Sequence, residues 1–283
     1  MTGVQTCALP ICPFRGNIGA IRQASYPADL MSGNNPQAFT GVADPRRWYL
    51  LRENLNNTFK GFTVWLGSGG LTANDYPKNF WGHPTPASTL ASAPDSSRYL
   101  YQNTSPWPMM TASEIQFIIA EAAYLKGDKP LALASYANGI SLNFDMITTT
   151  YPQNVPTVFA ITPATKAAYL ANNAVVPATA AGLTLSQIML QKYIALYGWG
   201  VQQTWTDMRK YHYIDIDPAT ANQVYAGFTP PPPANLSTTN NGEFVYRCRP
   251  RYNSEYLYNI PELTRLGALS LNYNTVKPWF ALP

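Results

Sequence analysis

Residues 111–147 read TASEIQFIIAEAAYLKGDKPLALASYANGISLNFDMI, and their spacing decides the fold. Thr111 or Ser113 can cap a first helix, and Glu114 in its first turn complements the helix dipole. Ile115, Ile118, Ile119, Ala122 and Ala123 recur at three-to-four spacing, which predicts that this face is buried. Gly127 closes the first helix, while Asp128 caps a second with Pro130 in its first turn. The second helix is expected to bury Leu131, Ala134 or Ser135, and Ile140, with small residues where the two helices approach closely. The result is an αα-hairpin. Its spacing also fits a tetratricopeptide repeat, with Ala120 at the small position, then Gly127-Asp128, Ala132, Tyr136 and Ile140. One such unit cannot bury its own face. Its neighbours must come from elsewhere in the chain or from sequence preceding it.

Around this hairpin the chain reads as loop and shorter helix. Residues 13–110 are rich in turn signals between short extended pieces, and 148–283 carry further helices and C-terminal loops. "TPATKAAYLANN" predicts a short helix. "LTLSQIMLQKYIALYGWGVQQTWTDMRKYHYI" predicts a longer one, with a kink or close packing at Gly198 and Gly200. The tail, "EFVYRCRPRYNSEYLYN" and "TVKPWFALP", is expected to be ordered aromatic loop.

Composition narrows the function classes. Charged residues make up 12% of the 283 residues, against about a quarter in an ordinary domain, and Pro (25) and Tyr (19) are abundant. The surface is therefore polar but weakly charged. A net charge of +4 is spread along the chain, and its densest spots, "DPRRWYLLR" and "YRCRPR", are too short to argue for nucleic acid. No stretch approaches the roughly 18 consecutive apolar residues of a membrane-spanning helix. Three cysteines form neither a disulfide framework nor a C-x-x-C metal pair, and the two histidines, His83 and His212, lack metal-ligand spacing. "GSGG" at 67–70 lacks the Gly-Lys-Ser/Thr of a phosphate-binding loop. No cofactor and no metal are expected.

The first twelve residues, MTGVQTCALPIC, imitate a lipoprotein leader without its physics. No basic residue precedes Arg15, the apolar run is broken by Gln5, Thr6 and Pro10, and Ile11 stands where a small residue should precede the cysteine. Thr2 to Ile11 back-translate into a common sequencing-adapter sequence. Residues 1–12 are accordingly expected to be non-native, with 13–283 a partial domain whose N-terminal part is missing.

Three blocks, in order, resemble the SusD/RagB family of nutrient-binding outer-membrane lipoproteins of Bacteroidetes. The first holds Thr111, Glu114, Phe117, Ala120-Glu121-Ala122 and Gly127-Asp128. The second holds Gln191-Lys192, Ala195, Trp205, Asp207 and Arg209-Lys210, and the third Ser254-Glu255 and Asn259. Two positions depart: Gln203 where the family often has Glu, and Arg251-Tyr252 where Tyr-Pro is usual. Residues 13–108 match only loosely. The resemblance implies a mainly α fold with tetratricopeptide-like helix pairs and a large loop-rich, aromatic ligand face. It also implies an N-terminal lipid anchor, absent from this sequence, as the only tie to the membrane, and a position outside the outer membrane. The implied partners are a glycan and a SusC-like TonB-dependent transporter, and the implied role is non-catalytic capture. A peptide-capturing RagB-like lipoprotein and a tetratricopeptide-type interaction scaffold are the alternatives, with a glycoside hydrolase further behind. That last would need two carboxylates roughly 5–10 Å apart, such as Asp75 and Asp95.

Sugar recognition calls for flat apolar faces against ring C–H groups and planar polar groups for the hydroxyls. The stretch from Phe59 to Trp107 supplies both. Trp81 and Tyr76 are the candidate stacking platforms, Asn79 and Asp75 the candidate hydroxyl partners, with Trp65, Arg98 and Trp107 as further ligand candidates. The helix aromatics Tyr193, Tyr197, Trp199 and Trp205 are expected to pack, and Glu121 to anchor a loop or a partner Arg. Glu255 and Arg251 are expected to form a local clamp.

Overall fold

A computed structural model of the chain describes residues 22–66, 70–80, 98–101 and 105–282. The expectations for residues 1–12 and for Trp81, His83 and Asp95 lie outside the described residues. Helices dominate: α1 (Ser25–Ser32), α2 (Arg47–Leu50), α3 (Ala112–Leu125), α4 (Lys129–Thr150), α5 (Pro163–Leu170), α6 (Leu185–Ala195), α7 (Val201–Lys210), α8 (Tyr252–Tyr258) and α9 (Ile260–Arg265). Among the described residues β-pairing amounts to isolated bridges, Ala24 with Phe62 and Ile216 with Gln223. The mainly α architecture stands.

The 111–147 hairpin forms as its punctuation dictates. Thr111 accepts the Glu114 N–H at 3.1 Å, and Asp128 accepts that of Leu131 at 3.1 Å. Gly127 takes the left-handed conformation at φ +85°, where a side chain would be strained. Ser113 does not cap; its hydroxyl donates to the Gly139 carbonyl on α4 at 2.8 Å. A Cβ on Gly139 would lie 3.0 Å from the Phe117 ring, so glycine lets the two helices close on that phenyl group.

Of the face that hydrophobicity picked out on α3, only Ala123 is buried. Ser113, Glu114, Phe117, Ala120, Glu121 and Ala123 are buried, while Ile115, Ile118 and Ile119 remain 38%, 43% and 36% exposed. The α3 helix packs on both α4 and α6, and α6 brings the Lys192 ammonium to 3.6 Å from the Glu121 carboxylate. Glu121 is therefore buried with its counter-ion beside it, while the isoleucines of the helix stay partly outside. Glu121 thus anchors a lysine rather than an arginine. On α4, Ser135 and Ile140 are buried as expected, but Leu131 and Ala134 are exposed.

A shell of polar groups around Arg46 ties α4 and α6 to the segment before α2. The guanidinium is fully buried, pairs with Asp44 at 2.6 Å and donates to Asn143 Oδ1 at 2.8 Å and to Gln191 Oε1 at 2.5 Å. Tyr169 on α5 donates to Asp44 at 2.8 Å and accepts from Gln191 at 3.1 Å.

The long helix expected over 183–214 is two helices. Gly198 sits at φ +90°, and a Cβ there would meet the Tyr99 ring at 3.2 Å. The close packing expected at Gly198 and Gly200 is present, and the helix stops before them instead of bending.

The chain divides into two compact units, one running to Thr204 and including Ile216–Phe228, the other comprising Trp205–Asp215 and Thr229–Pro283. The second unit has a small core of Leu263, Ala268 and Tyr273 with Tyr256 against it. Arg247 and Arg249 staple its backbone: Arg247 donates to the Val276 and Lys277 carbonyls at 2.7 and 2.9 Å, and Arg249 to those of Leu271 and Ser270, each at 2.8 Å. This tail is partly helical, in α8 and α9, where loop was expected; Pro261 in the first turn of α9 presets its dihedral. Glu255 accepts from the Asn259 amide at 2.8 Å rather than clamping Arg251.

Candidate functional site

Two places hold the sequence-derived candidates. The first is a corner where residues 60–62 meet 75–76. Lys60 pairs with Asp75 at 2.9 Å, and the Phe62 ring meets the edge of Tyr76 with centroids 5.5 Å apart. Asp75 also accepts the Thr72 hydroxyl at 3.0 Å; the bonds from Lys60 and Thr72 hold its carboxyl below the usual carboxylate range. Tyr76 and Trp65 are half-buried, Trp65 in the turn closed by the Leu66 N–H on the Thr63 carbonyl.

Two candidates turn inward, against the exposure expected of them. Asn79 is fully buried and Arg98 is only 5% exposed. Arg98 donates to Glu53 at 2.8 Å, to the Trp48 carbonyl at 3.3 Å and to the Asn154 carbonyl at 3.0 Å. Lys78 meets the other oxygen of Glu53 at 2.8 Å. Burial pushes the Glu53 carboxyl up, but Arg52, Arg98 and the Lys78 hydrogen bond outweigh it and hold the group below its ordinary value. Nε and Nη1 of Arg98 are thus spent on protein acceptors.

The second place is a cleft of about 340 Å³ at the foot of the hairpin, lined by Pro106, Trp107, Pro108, Met110, Leu142 and Met146 among others. Trp107 is 65% exposed, so its indole presents a flat apolar face to solvent. The segment carrying it is fixed at both ends: Tyr151, just past α4, donates its hydroxyl to the Pro106 carbonyl at 2.7 Å, and Thr111 caps α3. A platform held by two helix ends loses little freedom when a ligand settles on it. Sequence reading named Trp107 but missed its setting, since Met110, Leu142 and Met146 are brought together only by the hairpin. Of the remaining candidates, Asp75 and Tyr76 belong to the first corner, and Trp65 lies in the turn that follows Phe62.

The architecture is mainly helical, built around the α3–α4 hairpin with the Trp107 cleft at its foot. A family model described as "Starch-binding associating with outer membrane", of the SusD-like kind, matches residues 21–230. The chain belongs to this SusD-like family. No curated protein and no solved structure matches it. Among the described residues no helix is long and apolar enough to cross a membrane.

Proposed function

We propose that the chain captures a glycan at the outer face of the outer membrane and hands it to a SusC-like TonB-dependent transporter without cleaving it. The observation that carries this is Trp107, an exposed indole fixed at the mouth of an apolar cleft. Such a surface stacks on the C–H face of a pyranose, and the weakly charged chain around it avoids burying net charge. The starch-binding description of the family supports a glucan as the first ligand to try. Asp75, Tyr76 and Trp65 are accessory contacts in this proposal.

Calorimetry and affinity electrophoresis of the protein against soluble starch, maltohexaose and a polysaccharide panel test it. Binding without release of reducing sugar is expected, and Trp107→Ala should weaken binding about tenfold, or 1.4 kcal/mol. Turnover of any bound polysaccharide would overturn it.

A second reading has one specific observation in its favour. Ile115, Ile118, Ile119 and Leu125 leave an apolar stripe exposed on α3, as in a scaffold that binds protein. Co-purification of a transporter by a protein that binds no glycan would favour that scaffold.

A further inference from the structure

A smaller cleft, of about 170 Å³, opens at the N-terminal end of α6 and shares no residue with the Trp107 cleft. Its polar lining is Gln37, Thr184, Ser186, Gln187, Thr220 and Asn222, and no ionised side chain lines it.

The hydrogen bonds of these groups leave donors over. Thr184 Oγ1 accepts the Gln187 N–H at 3.1 Å, and Gln187 Oε1 accepts the Thr184 N–H at 3.1 Å. Gln37 Oε1 accepts the Gly227 N–H at 2.9 Å, and Thr220 Oγ1 that of Asn222 at 3.2 Å. In each glutamine the oxygen is spent and the NH₂ group has no partner among the described residues. The Asn222 and Ser186 side chains have none there either. Ser186, only 5% exposed, is among the residues that line the cleft.

The charge behind this wall selects what can enter. Asp217 is fully buried and accepts the Ser186 N–H at 2.8 Å and the Ala219 N–H at 2.9 Å. Its carboxylate opposes the positive end of the α6 dipole and consumes an N–H that an anion would use. The helix end is therefore unsuited to phosphate, sulfate or uronate. What complements unspent amide donors and hydroxyls without charge is a neutral polyol. At about 170 Å³ the cleft is well below the roughly 300–1,000 Å³ of drug-sized sites. It suits one ring rather than a chain, and Phe39 and Ala174 supply apolar surface for its C–H face.

We propose that this cleft is a separate glycan subsite that holds a single neutral pyranose unit through the amides of Gln37, Gln187 and Asn222 and the hydroxyls of Ser186 and Thr220. It rests on the glycan-capture reading and adds a second point of attachment for a branched or long ligand. Two attached points raise apparent affinity without new contacts at either.

Saturation-transfer NMR and calorimetry on the full chain test it, with methyl glycosides of glucose, galactose, mannose and glucuronic acid, and with maltohexaose. Ala174→Trp, at an exposed rim position, plugs the cleft, and Asn222→Ala removes an amide without adding bulk. A neutral methyl glycoside should bind the wild type. In a Trp107→Ala background, which silences the first cleft, Ala174→Trp should abolish that signal and Asn222→Ala weaken it at least fivefold, while glucuronide binds at least tenfold more weakly than its neutral counterpart. Unchanged glycoside binding in Asn222→Ala and in a folded Ala174→Trp, each in that background, would overturn the subsite, as would equal binding of the glucuronide. If maltohexaose binding is lost in Trp107→Ala but untouched by both cleft variants, this subsite alone fails. If no sugar binds the wild type, the glycan reading fails and takes the subsite with it.

Discussion

Arg46 Nη2 lies 2.6 Å from Asp44 Oδ2, with both side chains shut off from solvent. The same guanidinium bonds Asn143 on α4 and Gln191 on α6, so one planar fork fixes three segments of chain. Removing one member strands the other's charge in the interior. Arg46→Met should lower unfolding stability by about 3–5 kcal/mol, and Asp44→Asn should also be strongly destabilising. Converting both to apolar residues should cost less than the sum of the single changes. Urea titration followed by tryptophan fluorescence checks this; a loss below about 1 kcal/mol for Arg46→Met would show that the pair is not what joins these segments.

The matched residues turn out to be those that hold the fold. Thr111 and Asp128 cap, Phe117 and Ala120 are buried, Glu121 pairs with Lys192, and Gln191 bonds Arg46. That is why the order of these residues was enough to read the helical architecture. It is also why the candidate cleft was not legible: none of them lines it except Thr111. Of the five residues that hydrophobic periodicity named on α3 only Ala123 is buried, and periodicity has no way to see a lysine that meets Glu121 from α6, some 70 positions away. Loop residues fared by burial. Trp107 kept its exposure, whereas Arg98 was drawn in by Glu53, a partner that composition does not reveal.

The two faces of α3 give opposite expectations. Phe117 is fully buried beneath Gly139, so Phe117→Ala should cost about 3–5 kcal/mol. Ile118→Gln, at a position 43% exposed, should cost under about 1 kcal/mol. If Ile118→Gln proves the more damaging, a further element covers that stripe in the folded protein.

Gly198 makes its own case for a backbone requirement. With φ at +90° and the Tyr99 ring 3.2 Å from where a Cβ would stand, alanine is disfavoured by conformation and by space. Gly198→Ala should cost about 1–3 kcal/mol, whereas Gly127→Ala, with open space around its Cβ position, should suffer only the conformational part. Thermal unfolding of the two variants side by side separates these contributions, and equal losses would remove the steric one.

Acid should unfold the protein in part through Glu53. Burial raises its carboxyl, but Arg52, Arg98 and Lys78 prevail, leaving the folded value below the ordinary 4.5. The unfolded chain therefore takes up a proton at a higher pH than the folded one does. The stability Glu53 contributes is fully present above the unfolded value and is lost as pH falls through the folded one. Between those values the slope approaches 1.4 kcal/mol per pH unit for this one group. Glu53→Gln removes the titration and leaves the Arg98 charge without its carboxylate. The variant should be the less stable at pH 7, and the gap to the wild type should narrow as pH drops below about 4.5. Urea unfolding at half-unit steps from pH 7 to pH 3 measures that gap. A difference that stays constant across the range would mean that Glu53 titrates alike in both states and that its three cations do not hold it.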